Sequence, residues 1–233
     1  MNSRQWDKVV TAGLWLTGFF VIALLAVFLG YILIKGLPVL SWNFIIGQSS
    51  DITAGGGVGA QFFNTFYILF LSLLVAAPIA IGAGIYLAEY SGRGRLADAI
   101  RLSVECLASV PSIVLGLFGM IVFINIMGFG ISLGVGAMTL ALMNLPVIVR
   151  VTEEALKTVP KEYRDASLAL GATKWQTISR VVLPSAMPGI ITGITLTAGR
   201  AVGETAILIF TAGTTVSRSI PDFSLSAGGE TLA

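Results

Sequence analysis

Long apolar stretches alternate with short polar segments along this chain. Each stretch has the roughly 20 residues that a helix needs to cross about 30 Å of hydrocarbon. Five membrane spans are therefore predicted, at about residues 13–35, 63–88, 102–127, 131–149 and 183–212. The first stretch is too long for a signal peptide and lacks a small-residue cleavage pattern, so we interpret it as a retained span. The predicted fold is an all-α, polytopic bundle of membrane helices.

Proline and glycine interrupt the fifth apolar stretch, at Pro184, Pro188, Gly189 and Gly193. Such residues are tolerated within lipid when neighbouring helices satisfy the backbone groups that they free. The fifth stretch therefore favours a packed bundle or a larger complex.

The longest charged segment, about residues 153–182, lies between the fourth and fifth spans. Pro160 and Gly171 bracket a predicted helix, because proline suits a first turn and glycine suits the left-handed residue past a helix end. Thr173 and Gln176 have the spacing of a capping box, which predicts a second helix. Helical spacing groups the apolar positions Leu156, Val159, Tyr163, Ala166 and Leu170 on the first helix and Trp175, Ile178 and Val181 on the second. We predict a helix–turn–helix whose apolar face docks a partner outside the membrane.

Basic residues predict the orientation of the chain. They are concentrated on one side of the predicted spans, at Arg4, Lys8, Arg93, Arg95, Arg101, Arg150, Lys157, Lys161, Arg164, Lys174 and Arg180, whereas the opposite loops hold only Lys35 and Arg218. Since basic loops stay in the cytoplasm, the N-terminus and the 153–182 segment are predicted to be cytoplasmic. Residues after about 213 are predicted to lie outside.

Composition excludes several functions. The chain is 55% hydrophobic and 11% charged, and its net charge of +2 is too small to indicate nucleic acid as a partner. No histidine is present, which removes histidine-based catalysis and histidine metal sites, and the single Cys106 cannot form an intrachain disulfide. Glycine nowhere precedes lysine, so the phosphate loop of P-loop ATPases is absent.

Arg200 and Glu204 are ionisable residues within the fifth span, predicted to share one helix face because they lie four positions apart. An arginine at that depth costs roughly 2.5–3.5 kcal/mol on insertion scales, so it should face protein or water. Two interpretations stay open: an intrahelical ion pair that tolerates burial, or an arginine that offers its donor fork to a passing anion while Glu204 orients it. Glu105, four residues after Arg101, is expected to form a local pair or to lie at the interface.

The charged segment resembles the coupling loop of ABC-importer permeases, whose pattern is E-A-A, three residues, glycine, nine residues and I-x-L-P. The matching positions are Asp165-Ala166-Ser167, Gly171 and Val181-Val182-Leu183-Pro184, with mild departures at Asp165, Ser167 and Val181. The resemblance implies that this loop seats in a groove of a separate cytoplasmic ATPase, with Tyr163, Asp165, Ala166, Ser167, Leu170 and Gly171 as coupling residues. ATP and Mg²⁺ would then be bound by the ATPase, and no cofactor by this chain.

Three further stretches resemble PstA-type permease subunits of phosphate importers: residues 86–90, 110–117 and 199–206. The R-A-x-G-E-T-A run in the last stretch is the most discriminating, because sulfate and molybdate permeases share the coupling loop but usually lack this run. PstC-type sister subunits carry a similar run, so a PstC-type subunit, or a permease for another oxyanion, stays an alternative. The family also has a further span after the fifth; we expect truncation here, because a missing helix would expose a face of the bundle, with another subunit in its place as the alternative.

The resemblance implies one permease domain over residues 1–233, in a bacterial or archaeal inner membrane. It would form half of a phosphate path along Arg200, Glu204 and Thr205. The implied partners are a PstC-like second permease, a PstB-like ATPase, a PstS-like phosphate-binding protein and membrane lipid, but no nucleic acid. A membrane signalling protein that docks a cytoplasmic partner is the alternative from another class, and the intramembrane Arg200–Glu204 pair argues against it.

Overall fold

A computed structural model describes residues 3–48, 56–92, 94–214, 224–229 and 231–232. The chain divides into two compact units, residues 1–46 and 47–233. The first unit contains the 34-residue helix α1 (Ser3–Gly36), a short 3₁₀ turn (Leu37–Val39) and helix α2 (Trp42–Ile46). With a rise of about 1.5 Å per residue, α1 is roughly 50 Å long, enough to cross a bilayer. The basic positions Arg93 and Arg218 lie outside the described residues.

The second unit is built from eight helices in its described part. They are α3 (Gly59–Ile85), α4 (Arg95–Ser109), α5 (Ser112–Gly119), α6 (Leu133–Thr158), α7 (Lys161–Ala169), α8 (Lys174–Thr177), α9 (Leu183–Val202) and α10 (Ala206–Thr211). Three π-helical segments extend them: Tyr86–Tyr90 after α3, Met120–Ile126 after α5, and Ile178–Val182 between α8 and α9. The prediction of an all-α membrane bundle is confirmed for the part of the chain that the structure describes.

Within the described ranges of the chain, four helices are long and apolar enough to cross a membrane, and a fifth span results if α4 and α5 count as one. These two helices are bent by 101° at Val110 and Pro111, whose backbones are extended. Proline has no N–H and restricts the residue before it, so the helix stops there. The prediction of about five spans is confirmed, but the third span is broken rather than continuous.

Helix α6 is the centre of the second unit and packs against α3 and α9. The contacts are close because small residues lie where the helices meet. A methyl group added at Gly84 of α3 would lie 2.6 Å from Thr152 of α6, and Gly193 of α9 lies directly against Val151. Leu140 and Ile148 of α6 are fully buried in the hydrophobic clusters between these helices.

Two helices differ from the predicted boundaries. The helix of the fourth span, α6, continues to Thr158, beyond the predicted end at about 149, and in this extension Glu153 pairs with Arg101 and Lys157. As a result Leu156 and Val159 are buried in the core, and neither belongs to the docking face. The fifth span, predicted over 183–212, ends its main helix at Val202.

Candidate functional site

The segment after α6 forms the predicted helix–turn–helix. Helix α7 begins after Pro160, and the chain turns at Gly171 with φ of 82°, a left-handed conformation that favours glycine. Thr173 and Gln176 make both hydrogen bonds of the capping box: the Thr173 N–H donates to Gln176 Oε1 at 2.8 Å, and the Gln176 N–H donates to Thr173 Oγ1 at 3.3 Å. The prediction of two helices bounded by these residues is confirmed.

Several apolar side chains of this helix–turn–helix are exposed. Leu170 is 90% exposed, Trp175 60% and Tyr163 51%. We call the exposed set the elbow surface, and its members are Tyr163, Asp165, Ala166, Leu168, Leu170 and Trp175. Apolar side chains grouped on a protein surface mark interaction sites. Of the predicted docking face, Tyr163, Ala166, Leu170 and Trp175 are exposed, whereas the prediction for Ile178 is wrong because it is 1% exposed, and Val181 is half-buried. Docking of a partner on the exposed residues stays a prediction.

Ser167 is the one residue of the predicted Asp165-Ala166-Ser167 triplet that faces inward. Its hydroxyl lies 2.9 Å from the hydroxyl of Thr177 and is half-buried. This bond joins α7 to α8. Ser167 is therefore placed to hold the two helices together, while Asp165 and Ala166 are exposed.

Arg164 holds α7 against the membrane helices. Its Nη2 and Nε donate to Glu89 Oε1 at 2.6 and 3.1 Å. Its Nη2 and Nη1 also donate to the carbonyls of Leu156 at 2.9 Å and Val159 at 2.8 Å, which lie at the end of α6. A guanidinium at a helix C-terminus satisfies carbonyls that lack a partner within the helix. No local pattern in the sequence indicates this contact, because Glu89 lies 75 residues from Arg164.

A second charged group lies between α4 and α6. Glu153 Oε1 accepts from Lys157 Nζ at 2.6 Å and from Arg101 Nη2 at 3.1 Å. Arg101 therefore reaches across to α6 and to Asp98, at 3.8 Å, rather than to Glu105. The expected local pair of Arg101 with Glu105 is not among the ion pairs of the described residues, and Glu105 is exposed on α4.

Arg200, Glu204 and Thr205 lie where the fifth span breaks. Helix α9 ends at Val202, and the chain is irregular from Gly203 until α10 begins at Ala206. The prediction that Arg200 and Glu204 share a helix face is wrong, because Glu204 is outside the helix. Arg200 and Thr205 are exposed and Glu204 is half-buried. Among the described residues, the structure records no ion pair for Arg200.

The depth of Arg200 follows from the antiparallel packing of α9 on α6. Gly193 lies against Val151, and Gly189 against Ala155. By this register Arg200 lies at the level of about residue 144 of α6, and the break after α9 lies at the level of about residue 141. Arg200 and the break are therefore separated by roughly 5 Å along the helix axis. Residue 141 is also close to the middle of the uncharged part of α6, which ends before Arg150. Arg200 and the break therefore lie near mid-membrane.

The bend between α4 and α5 borders the same region. Gly116 of α5 lies against the backbone of Ala206 and Ile207, at the start of α10. Pro111 at the bend and Gly203 at the break are both exposed. Irregular backbone at mid-membrane does not face lipid; it is found against protein or a water-filled cavity. This surface of the chain is therefore suited to a partner subunit or an aqueous path.

Asn144 of α6 is a further polar residue at this depth, and it was not among the predicted site residues. It is 1% exposed, and its amide nitrogen and oxygen have no hydrogen-bond partner within the described part of the chain. Asparagine within an apolar stretch is the sequence signal that could have identified it, since a polar residue within the membrane is uncommon.

The chain belongs to the family of inner membrane components of binding-protein-dependent transport systems, which matches residues 80–227. Within this class it is 46% identical over 218 residues to the probable ABC transporter permease protein YqgI of Bacillus subtilis (strain 168), covering 94% of this chain and 74% of that protein. It is 38% identical over 178 residues to the phosphate transport system permease protein PstA of Xylella fastidiosa (strain 9a5c), covering 76% of this chain and 62% of that protein. Against PstA 1 of Mycobacterium tuberculosis (strain CDC 1551 / Oshkosh) the identity is 44% over 158 residues, covering 68% of this chain and 52% of that protein.

A solved structure shares the fold. The MetNI methionine ABC transporter in an inward-facing conformation aligns with a TM-score of 0.55 and 29% identity, over 60% of this chain and 68% of that chain. These matches confirm the resemblance to ABC-importer permeases and to the PstA type, and with it a non-catalytic membrane component. The roles of individual residues and the single domain over 1–233 stay predictions.

Proposed function

We propose that this chain is a permease subunit of an ATP-driven importer and forms half of the path for inorganic phosphate. The family supports the transport role, and the relatives named as phosphate transport system permeases support the substrate. In this proposal a PstC-like subunit supplies the other half of the path. A PstB-like ATPase binds ATP and Mg²⁺, and a PstS-like protein delivers phosphate from the outer side.

The observation that carries the proposal is the exposed Arg200 beside an irregular, exposed break near mid-membrane. Arginine keeps its charge and presents planar donors that match the oxygens of phosphate. Facing a second subunit across a water-filled path, Arg200 would avoid lipid and contact the anion as it passes. Conduction requires modest binding, since a site that holds the ion too firmly would trap it.

Glu204 and Thr205 have different roles in this proposal. Because Glu204 lies within the break, it reaches the path from irregular backbone and not from the face of α9. A carboxylate beside an anion path opposes tight binding, which favours release of phosphate. The exposed hydroxyl of Thr205 is placed to donate to an oxygen of the substrate at the same level.

The elbow surface is the proposed docking site for the ATPase. Tyr163, Leu170, Asp165 and Ala166 are exposed there, and Gly171 makes the turn that projects them. Ser167 contributes indirectly, by joining α7 to α8. Movement of the ATPase on binding ATP would push on this surface and alternate the access of the path. The basic residues around the elbow support a cytoplasmic location for it and for the N-terminus.

The proposal is tested by reconstituting the four-component complex in proteoliposomes and measuring ATP-driven uptake of labelled phosphate. Arg200→Ala should reduce uptake by roughly 10- to 150-fold, the equivalent of the 1.5–3 kcal/mol of a charged hydrogen bond, while assembly is retained. Arg95→Ala, at an exposed arginine at the start of α4, is the matched control and should retain uptake. Normal uptake in Arg200→Ala would overturn the assignment of Arg200, and uptake of sulfate in place of phosphate would overturn the substrate.

A further inference from the structure

The attachment of α7 to the membrane helices depends on polar contacts. None of the nine residues of α7 is buried, and the structure describes all of them. The apolar side chains of α7, such as Tyr163 and Leu168, point outward on the elbow surface. Apolar packing therefore contributes little to holding α7 in place. The chain joins α7 directly to α6, but a force applied to α7 needs a further contact to reach α3.

The ion pair of Arg164 with Glu89 supplies such a contact. The side chain of Glu89 is 9% exposed and that of Arg164 is 20% exposed, so water screens the pair weakly. Arg164 donates at once to Glu89 and to the carbonyls of Leu156 and Val159. One side chain thus fixes α7 to the end of α6 and to the π-helical end of α3.

The neighbouring residue strengthens this junction. Lys174 of α8 lies with its Nζ 4.6 Å from the ring centre of Tyr90, within range of a cation–π interaction. Glu89 and Tyr90 are adjacent in the π-helical segment that follows α3. Helix α7 therefore contacts Glu89, and helix α8 contacts Tyr90. The Ser167–Thr177 hydrogen bond joins those two helices.

We propose that the Arg164–Glu89 pair is the strut through which movement of the elbow reaches α3. The inference rests on the proposed function, since it assumes that an ATPase moves the elbow. Arg164 and Glu89 are positioning residues in this account and do not contact the substrate. Without the pair, α7 would move with the ATPase while α3 lags behind.

The first test uses transport. In the reconstituted complex, Glu89→Gln keeps the shape of the side chain and removes its charge. We expect ATP hydrolysis to continue while phosphate imported per ATP falls by at least about fivefold, the lower end of coupling between two sites. In the double variant Glu89→Gln with Arg164→Gln, phosphate imported per ATP should fall no further than in the more affected single variant, because both substitutions break the same contact. An unchanged ratio in an assembled Glu89→Gln complex, or losses that multiply in the double variant, would overturn the strut.

The Arg150–Glu154 pair offers a matched control. It joins two exposed side chains on one face of α6 at 3.2 Å, and Glu154→Gln makes the same chemical change there. This variant should leave phosphate imported per ATP unchanged. If phosphate imported per ATP fell as much in Glu154→Gln as in Glu89→Gln, removal of any carboxylate would have this effect, and the assignment of the Arg164–Glu89 pair as the strut would be overturned.

The second test does not depend on the substrate. Spin labels at Glu162→Cys on α7, outside the elbow surface, and Ile79→Cys on α3, both exposed, report the distance between the two helices in a Cys106→Ser background. With the strut intact the distance distribution should be narrow, with and without ATP. Glu89→Gln should broaden it and make it shift with ATP. Equal distributions in both proteins would contradict the strut even if phosphate proves not to be the cargo, and absence of phosphate uptake in the unaltered complex would contradict only the proposed function.

Discussion

Leu170 offers a direct test of the elbow surface, because it is 90% exposed and so contributes little to folding of the chain itself. Leu170→Ala removes three carbon atoms. Burial of each CH₂ is worth about 0.8 kcal/mol, so a fully buried Leu170 would contribute up to about 2.4 kcal/mol to docking. Partial burial would lower this to about 1.4 kcal/mol. We therefore expect the ATPase to bind the variant permease between about 10-fold and 60-fold more weakly.

The assay is titration of the purified ATPase onto permease complexes in nanodiscs, with thermal stability measured in parallel. Leu96→Ala is the matched control, since Leu96 is 64% exposed at the start of α4 and lies outside the elbow surface. The control should bind the ATPase normally, and both variants should keep the thermal stability of the unaltered protein. Unchanged affinity in Leu170→Ala would refute docking at the elbow surface.

Three further substitutions test the geometry on which the site depends. Gly171→Ala should destabilise the turn by roughly 1–2 kcal/mol and lower the Tm, because alanine is strained at the φ of 82° found there. An unchanged Tm would show that the turn does not require glycine. Thr173→Ala should remove the capping-box bond and cost about 1 kcal/mol, measured by denaturant unfolding, and no loss would mean that the cap is dispensable. Gly193→Leu should collide with Val151, separate α9 from α6 and cost about 1–3 kcal/mol of stability. Gly82→Leu is the control and should be tolerated, since no atom lies within 4 Å of a methyl group added there. Equal effects of the two substitutions on Tm would contradict the close packing of α9 on α6.

Local signals in the sequence predicted the elbow well. Pro160, Gly171 and the Thr173–Gln176 pair each act within a few residues, through backbone conformation or a cap. Their effect is therefore visible in a short window of sequence. Long apolar stretches likewise predicted the spans, because the thickness of the bilayer sets their length.

Features that depend on distant residues were not predictable in this way. The predicted fourth span ended at about residue 149, yet α6 continues through Glu153, which is buried and pairs with Arg101, 52 residues away. The Arg164–Glu89 pair joins residues 75 positions apart. The break after Val202 separates Arg200 from Glu204, although their spacing of four is typical of one helix face. In each case tertiary packing decided between alternatives that were locally equivalent.

In the proposed function the elbow lies on the cytoplasmic side and binds a partner ATPase. The decisive measurement labels Leu170→Cys, in a Cys106→Ser background, with a maleimide that cannot cross membranes. We predict labelling in inside-out vesicles but not in sealed spheroplasts, and protection of the cysteine when the ATPase is bound. Labelling from the outside, or labelling in inside-out vesicles that the bound ATPase leaves unchanged, would contradict the account.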